Sequence, residues 1–271
     1  MPTIHFSPCP NDTFIFDALV NKKIDTEGID FESVLKDVQT LNEDAIRGVA
    51  DITKISFGVL PEIIHHYKLL DSGAALGSGV GPLLISSKKD SVAVDTSVIA
   101  IPGKHTTAHQ LFSLAYPDAN EKVFLRYDEI ESFVADGKGL GVIIHENRFT
   151  YEVKGLHKIT DLGEFWEHKT GVPVPLGGIV IKRSFDDSFQ KKIGNLIRKS
   201  IEYAYGQYPL LNDFIISNAQ EMSEEVMRKH IELYVNNYSV SLGETGRQAI
   251  RKLFENHSMN QFSDQEIFVD K

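Results

Sequence analysis

The chain of 271 residues has one cysteine, Cys9, which excludes an internal disulfide and fits a reducing compartment. Positive charge is in deficit as well. Lys and Arg number 28 against 38 Asp and Glu, a formal charge of −10, which disfavours non-specific attraction to nucleic acid or to an anionic membrane. No basic block occurs, and no apolar run approaches the roughly 20 residues that span a bilayer. The opening residues MPTIHFSPCPNDTFIF carry neither a positive leader nor a continuous apolar segment, so they do not read as a signal peptide and the expected location is the cytoplasm. Cys9 lies between Pro8 and Pro10 without the cationic setting that makes a thiolate, and is expected to be a small packed residue. What remains is an ordinary globular composition, 42% hydrophobic and 24% charged, with length enough for two modest lobes.

Along the chain, short apolar runs alternate with helical patterns. Thr3 to Phe6 reads as a strand, Asn11 or Asp12 as the cap of a helix from Thr13 to Val20, then a strand near Asp30 to Leu35, a helix from Thr40 to Gly48 and a strand through Ile52 to Phe57. Leu60 to Tyr67 looks helical. This order predicts a mainly parallel sheet with helices on both faces. A second set follows: a strand ending near Ile85, strands at Val98 to Ile101, Val123 to Leu125 and Val142 to Ile144, and a helix from Thr106 to Tyr116. Beyond the strand Ile179 to Lys182 the chain reads as helical, with Ser184 and Asp187 at capping-box positions. The stripe Phe189, Ile193, Leu196, Ile197, Ile201 and the stripe Val226, Met227, Ile231, Tyr234, Val235 read as core without chemistry.

Gly/Pro clusters at 79 to 82 and 171 to 178 are candidate crossings between two lobes. Residues 1–86 with 176–271 are expected to form a large discontinuous α/β lobe, and 87–175 a small inserted α/β lobe. That arrangement is a bilobal, periplasmic-binding-protein-like (type II) fold, with a ligand cleft between the lobes.

Two stretches carry chemistry. In GVIIHENRFTYE, the apolar run Val142-Ile143-Ile144 stops at His145, where strand gives way to loop; that edge is where open α/β sheets bind ligands, although a loop histidine bonded to backbone reads the same way. In Ile101-Pro102-Gly103-Lys104-His105-Thr106-Thr107-Ala108, a strand ends and two threonines open a helix, so free N–H groups and the helix dipole offer a carboxylate or phosphate site. Thr106 can cap the helix and bind a ligand at once. The pair His105 and His109 and the pair His65 and His66 come with no spaced carboxylate or cysteine set, so no metal is expected. Gly77 to Pro82 lacks the Lys-Ser/Thr of a P-loop, no Gly-x-Ser-x-Gly elbow occurs, and no cofactor is expected.

Five motifs in order, Ser7-Pro8-Cys9-Pro10-Asn11-Asp12-Thr13-Phe14, Lys54-Ile55-Ser56-Phe57, Gly103-x-x-Thr106-Thr107-Ala108, Ile144-His145-Glu146-x-Arg148-Phe149-Thr150-Tyr151 and Pro173-x-Pro175-Leu176-Gly177-Gly178, resemble the 1,4-dihydroxy-6-naphthoate synthase family. Two positions depart from its pattern, Asn147 where glycine is expected and Val80 where cysteine is frequent. The resemblance implies the bilobal fold and a lyase of the futalosine route to menaquinone. Its substrate, a small-molecule carboxylate, would be cyclic dehypoxanthinyl futalosine, with no nucleic acid or membrane partner. It implies further that His145 is the general base and that Ser56, Thr106, Thr107, Asn11 and Asp12 contact the substrate, with Glu146 in support. Two other readings share the cleft: the chorismate dehydratase of the same pathway, and a non-catalytic cytoplasmic small-anion-binding protein.

Overall fold

The computed structural model describes residues 1–89, 92–219, 223–256 and 262–269. Within them the strands sort into two sheets. The first holds β1 (Thr3–Phe6), β2 (Glu32–Leu35), β3 (Ile52–Ser56), β4 (Tyr67–Leu69) and β5 (Ala75–Gly77); the second holds β6 (Leu83–Ser86), β7 (Ile99–Ile101), β8 (Lys122–Phe124), β9 (Leu140–Ile143) and β10 (His157–Asp161). The chain then returns to the first sheet in β11 (Val174–Lys182), giving the orders β2-β1-β3-β11-β4, with β5 on β11, and β10-β6-β9-β7-β8.

Both sheets are mixed, which corrects the expectation of a mainly parallel one. β1 runs parallel to β2 and β3, and β7 parallel to β8 and β9, through helical crossovers. β11 is antiparallel to β3, β4 and β5, and β6 antiparallel to β9 and β10. The physical reason is the return path. β11 enters from the second sheet at the end where β3 finishes, pairing Gly177 with Ser56, and so runs back against it.

The Gly/Pro clusters are the turns between sheets. β5 ends at Gly77 and β6 begins at Leu83, so Leu83–Ser86 pairs in the second sheet although a boundary after residue 86 assigns it to the first lobe; Val174 and Pro175 pair with β5 in the first. A Cβ on Gly81 would stand 2.3 Å from the Cα of Gly163, and one on Gly163 would stand 2.7 Å from that of Gly81. This backbone contact seats the first crossing on the helix Leu162–Thr170.

Other expectations shift by a turn. The first helix is Pro10–Val20 with Cys9 as its N-cap, not Asn11 or Asp12. Proline suits the first helical position because its missing N–H has no partner there anyway. The consequence is that Asn11 and Asp12 lie inside the helix and are buried. The long helix Asp187–Gln207 is capped by Asp186, which accepts from the Phe189 N–H at 2.8 Å, in place of the expected Ser184/Asp187 box. Leu60–Ile63 is a short helix, and Tyr67 already starts β4.

The apolar stripe Ile193, Leu196, Ile197 and Ile201 packs with Ile4, Phe6, Phe14 and Phe16 against one face of the first sheet. A second core, with Ile55, Phe57, Leu84, Ile101, Phe112 and Trp166, runs continuously from one sheet to the other. Burial of a large apolar side chain stabilises by about 1.5–3 kcal/mol, so this shared core holds the two sheets in register across the cavity between them. Among the described residues no helix is long and apolar enough to cross a membrane.

Candidate active site

Where the strand ends of both sheets meet, a cavity with about 670 Å³ of empty space, its mouth included, is lined by Asn11, Asp12, Ser56, Thr106, Thr107 and His145. All six residues named from the sequence therefore face one space. Val38, Ile55, Val80, Pro82 and Leu176 supply apolar walls.

His145 follows β9 and precedes a short helix, Asn147–Thr150. Its φ of +55° is left-handed, which costs a residue other than glycine roughly 1–2 kcal/mol. The surroundings hold it there. The imidazole lies nearly parallel to that of His230 (centroids 6.0 Å apart, 14° between planes), meets the edge of Tyr127 at 5.1 Å, and puts Nδ1 3.8 Å from the Cys9 sulfur. Burial pushes its pKa down to about 4; the Asp12 carboxylate opposes that and the Lys54 cation adds to it. Imidazole at neutral pH is thus in its neutral, proton-accepting form. Glu146 is shifted the other way, up to about 7, chiefly by burial, and its Oε2 finds no partner.

The rest of the histidine motif is structural. Arg148 donates to the carbonyls of Gly81 and, at 2.9 Å, Gly79, and meets Asp161 at 2.8 Å, so it ties β9 to the crossing. Asn147, one of the two departures, is buried and donates to Glu131 Oε2 at 2.7 Å. Val80, the other, is buried on the cavity wall.

On the floor lies an ion pair. Lys54 Nζ stands 2.9 Å from Asp12 Oδ1, with each side chain less than a tenth exposed, and donates to the Gly73 carbonyl at 3.2 Å. Asp12 also accepts from Asn11 Nδ2 at 2.9 Å, and from the Ser7 hydroxyl at 2.7 Å and N–H at 3.2 Å. Ser56 is held by Asn42, which accepts its N–H at 2.8 Å and donates to its hydroxyl at 3.1 Å.

Thr106 is the N-cap of the helix Thr107–Ala115: its hydroxyl accepts from His109 N at 3.2 Å and donates to the Gly103 carbonyl at 2.9 Å. The Thr107 hydroxyl accepts from the Gly58 N–H at 3.0 Å and donates to the Leu176 carbonyl at 2.7 Å, both groups of the first-sheet lobe. Thr107 and Ala108, whose amides are first in the helix and have no intrahelical carbonyl, are among the residues lining the cavity. His105 and His109 are engaged elsewhere, with Glu62 at 3.1 Å and the Lys104 carbonyl at 2.8 Å.

Sequence reasoning passed over three groups. Lys54 had a signal, a cation inside the short strand run Ile52 to Phe57. His230 and Tyr234 had none, because the helix Glu224–Tyr234 shows only the spacing of a core-facing stripe; yet Tyr234 lines the cavity and His230 packs on His145.

Two mixed α/β sheets joined by two crossings, with a polar-floored cavity between them, make this a periplasmic-binding-protein-like fold. A Candida albicans protein described as exhibiting that generic fold superposes with a TM-score of 0.69 at 14% identity, covering 98% of this chain and 92% of that one. A crystal structure from Archaeoglobus fulgidus superposes with a TM-score of 0.90 at 29% identity, covering 95% and 96%. The family described as menaquinone biosynthesis matches residues 2–258, and the chain belongs to it. The chain is 42% identical to a 1,4-dihydroxy-6-naphthoate synthase of Thermus thermophilus, over 92% of this chain and 91% of that one. It is 39% identical to the enzyme of the same name from Streptomyces coelicolor, over 92% and 90%. It is an enzyme of menaquinone biosynthesis.

Proposed function

We propose that the protein is a lyase that cleaves cyclic dehypoxanthinyl futalosine to 1,4-dihydroxy-6-naphthoate, with His145 as general base. The observation that carries the reading is a neutral imidazole, fixed in a left-handed backbone conformation, at the wall of a cavity that is also lined by the first residues of a helix. In this reading the substrate carboxylate sits on the Thr107 and Ala108 amides, where N–H groups and the helix dipole favour an anion. Val38, Ile55, Val80, Pro82 and Leu176 flank the carbocycle. His145 removes a proton, the carbon–carbon bond to the sugar remnant breaks, and aromatisation of the bicycle drives release. The anion near the ring favours imidazolium and so raises the basicity that burial suppresses. No cofactor enters the step.

A turnover assay with cyclic dehypoxanthinyl futalosine, read by mass spectrometry, is expected to show the naphthoate. Formation of a carboxyvinyloxybenzoate from chorismate would assign the dehydratase instead, and tight binding without turnover would assign an anion binder. The profile of kcat/KM against pH reports ionisations of the free enzyme. With His145 held at about 4 rather than 6.5, its acid limb should lie well below pH 6. Loss of kcat/KM centred at pH 6.5 would be incompatible with His145 acting from this environment.

A further inference from the structure

Beside His145, three chemically different side chains converge. The Cys9 sulfur, a ring nitrogen of His145 and a carboxylate oxygen of Glu146 all lie within 4.8 Å of one another, with Sγ and Nδ1 at 3.8 Å. Around a tetrahedral zinc ion, with bonds of about 2.3 Å to sulfur and 2.0–2.2 Å to nitrogen and oxygen, ligand atoms stand roughly 3.5 Å apart. The trio is therefore within about 1 Å of a ligand set. Thiolate, imidazole and carboxylate together suit a borderline-soft divalent ion rather than magnesium or calcium.

Two further features point the same way. Among the described residues, Glu146 Oε2 is enclosed without a hydrogen-bond partner, a position that is costly unless something else satisfies it. The ligand-bearing backbone is also constrained: Cys9 is the N-cap between two prolines, and His145 is locked in the left-handed region. A second cavity, lined by Pro8, Cys9, Lys36, Arg126, Tyr127 and His145, opens beside the trio and leaves a path for the ion and room for water as fourth ligand.

We propose that Cys9, His145 and Glu146 form a binding site for a zinc-like divalent ion. Binding releases to solvent the thiol proton and the proton carried by the Glu146 carboxyl where it is protonated, and the charges of thiolate, carboxylate and dication then cancel, with no change in oxidation state. Because the site takes a nitrogen of the ring proposed above as the base, occupancy switches turnover off. That second consequence rests on the proposed function; metal binding itself does not.

The test is titration of the chelator-treated protein with Zn²⁺ against a chromophoric competitor, and with Co²⁺ read by absorbance. One ion per chain and a near-ultraviolet thiolate-to-cobalt band are expected. Removing even a supporting partner of a metal ligand costs about 10- to 100-fold in affinity. Cys9→Ser should therefore lose at least about 100-fold and the band, while Glu146→Gln weakens binding about tenfold or more but keeps the band. Equal affinity in wild type and Cys9→Ser, with the fold intact by circular dichroism, would overturn the site and place the ion at surface histidines. Should Cys9→Ser not fold, unchanged affinity and an unchanged cobalt spectrum in Glu146→Gln would overturn it. Zinc binding by a protein that, metal-free, does not turn over the futalosine derivative would uphold the site and refute the function.

Discussion

His145→Asn should lower turnover by about 10² to 10⁴, the usual range for a general base, while stability and substrate affinity stay near wild type. Asparagine is the informative replacement for two reasons. It fills similar space and hydrogen-bonds, but accepts no proton near neutral pH. It is also among the few residues that enter the left-handed region readily, so the φ of +55° at this position is preserved. Alanine would confound loss of the base with a shifted loop. Comparison of single-turnover rates and substrate affinity in the two proteins checks the prediction. A rate within a few-fold of wild type would remove His145 from the chemistry and leave Glu146, with its pKa raised to about 7, as the acid–base group to test.

The second large effect is on stability. Lys54→Met leaves the Asp12 carboxylate buried without its cation, and breaking a buried pair from one side costs about 3–5 kcal/mol. The bonds to Asp12 from Asn11 and Ser7 remain, so the carboxylate stays held but uncompensated. Adding Asp12→Asn to Lys54→Met removes that charge and should recover most of the loss, because an absent pair is far less costly than half a pair. Urea unfolding of the wild type, the single and the double variant makes the comparison. A single variant within about 1 kcal/mol of wild type, below the range for a broken buried pair, would mean that the pair is solvated in solution.

What could be read from the sequence was local. Leu140–Ile143 is a buried strand that reads as a nearly continuous, turn-bounded apolar run, whereas Thr3–Phe6 and Ile52–Ser56 interleave apolar with polar residues and are still recognisable as short turn-bounded strands. β4 and β5 are three residues each, too short to show a period, and β10, His-Lys-Ile-Thr-Asp, is a polar edge strand. Strand direction is not a local property either. Nothing in Val174 to Lys182 says that it runs antiparallel to β3; that follows from where the chain re-enters the first sheet. The site divides in the same way. Thr106, Thr107 and His145 sit at strand ends and helix starts, positions that a sequence announces through its punctuation. Lys54 stood in a quoted motif but without a role, since its pairing with Asp12 is made by tertiary packing, and His230 reaches His145 through tertiary packing alone.

The contact between Gly58 and the threonine turn has a consequence for how the two sheets part. A Cβ on Gly58 would lie 2.6 Å from the backbone of Thr106, so the turn rests directly on the other lobe's main chain, with the Thr107 hydroxyl bonded to Gly58 on one side and Leu176 on the other. Parting the sheets has to break both bonds together, at about 0.5–1.5 kcal/mol each. Taken alone, that sets the gate ajar in roughly one molecule in six to one in 160. The residue that fastens the gate is also the one whose amide is proposed above to receive the substrate carboxylate, so the latch and the proposed landing place share one helix start. Under the proposed function, substrate entry and the release of this latch would act on the same residue, Thr107.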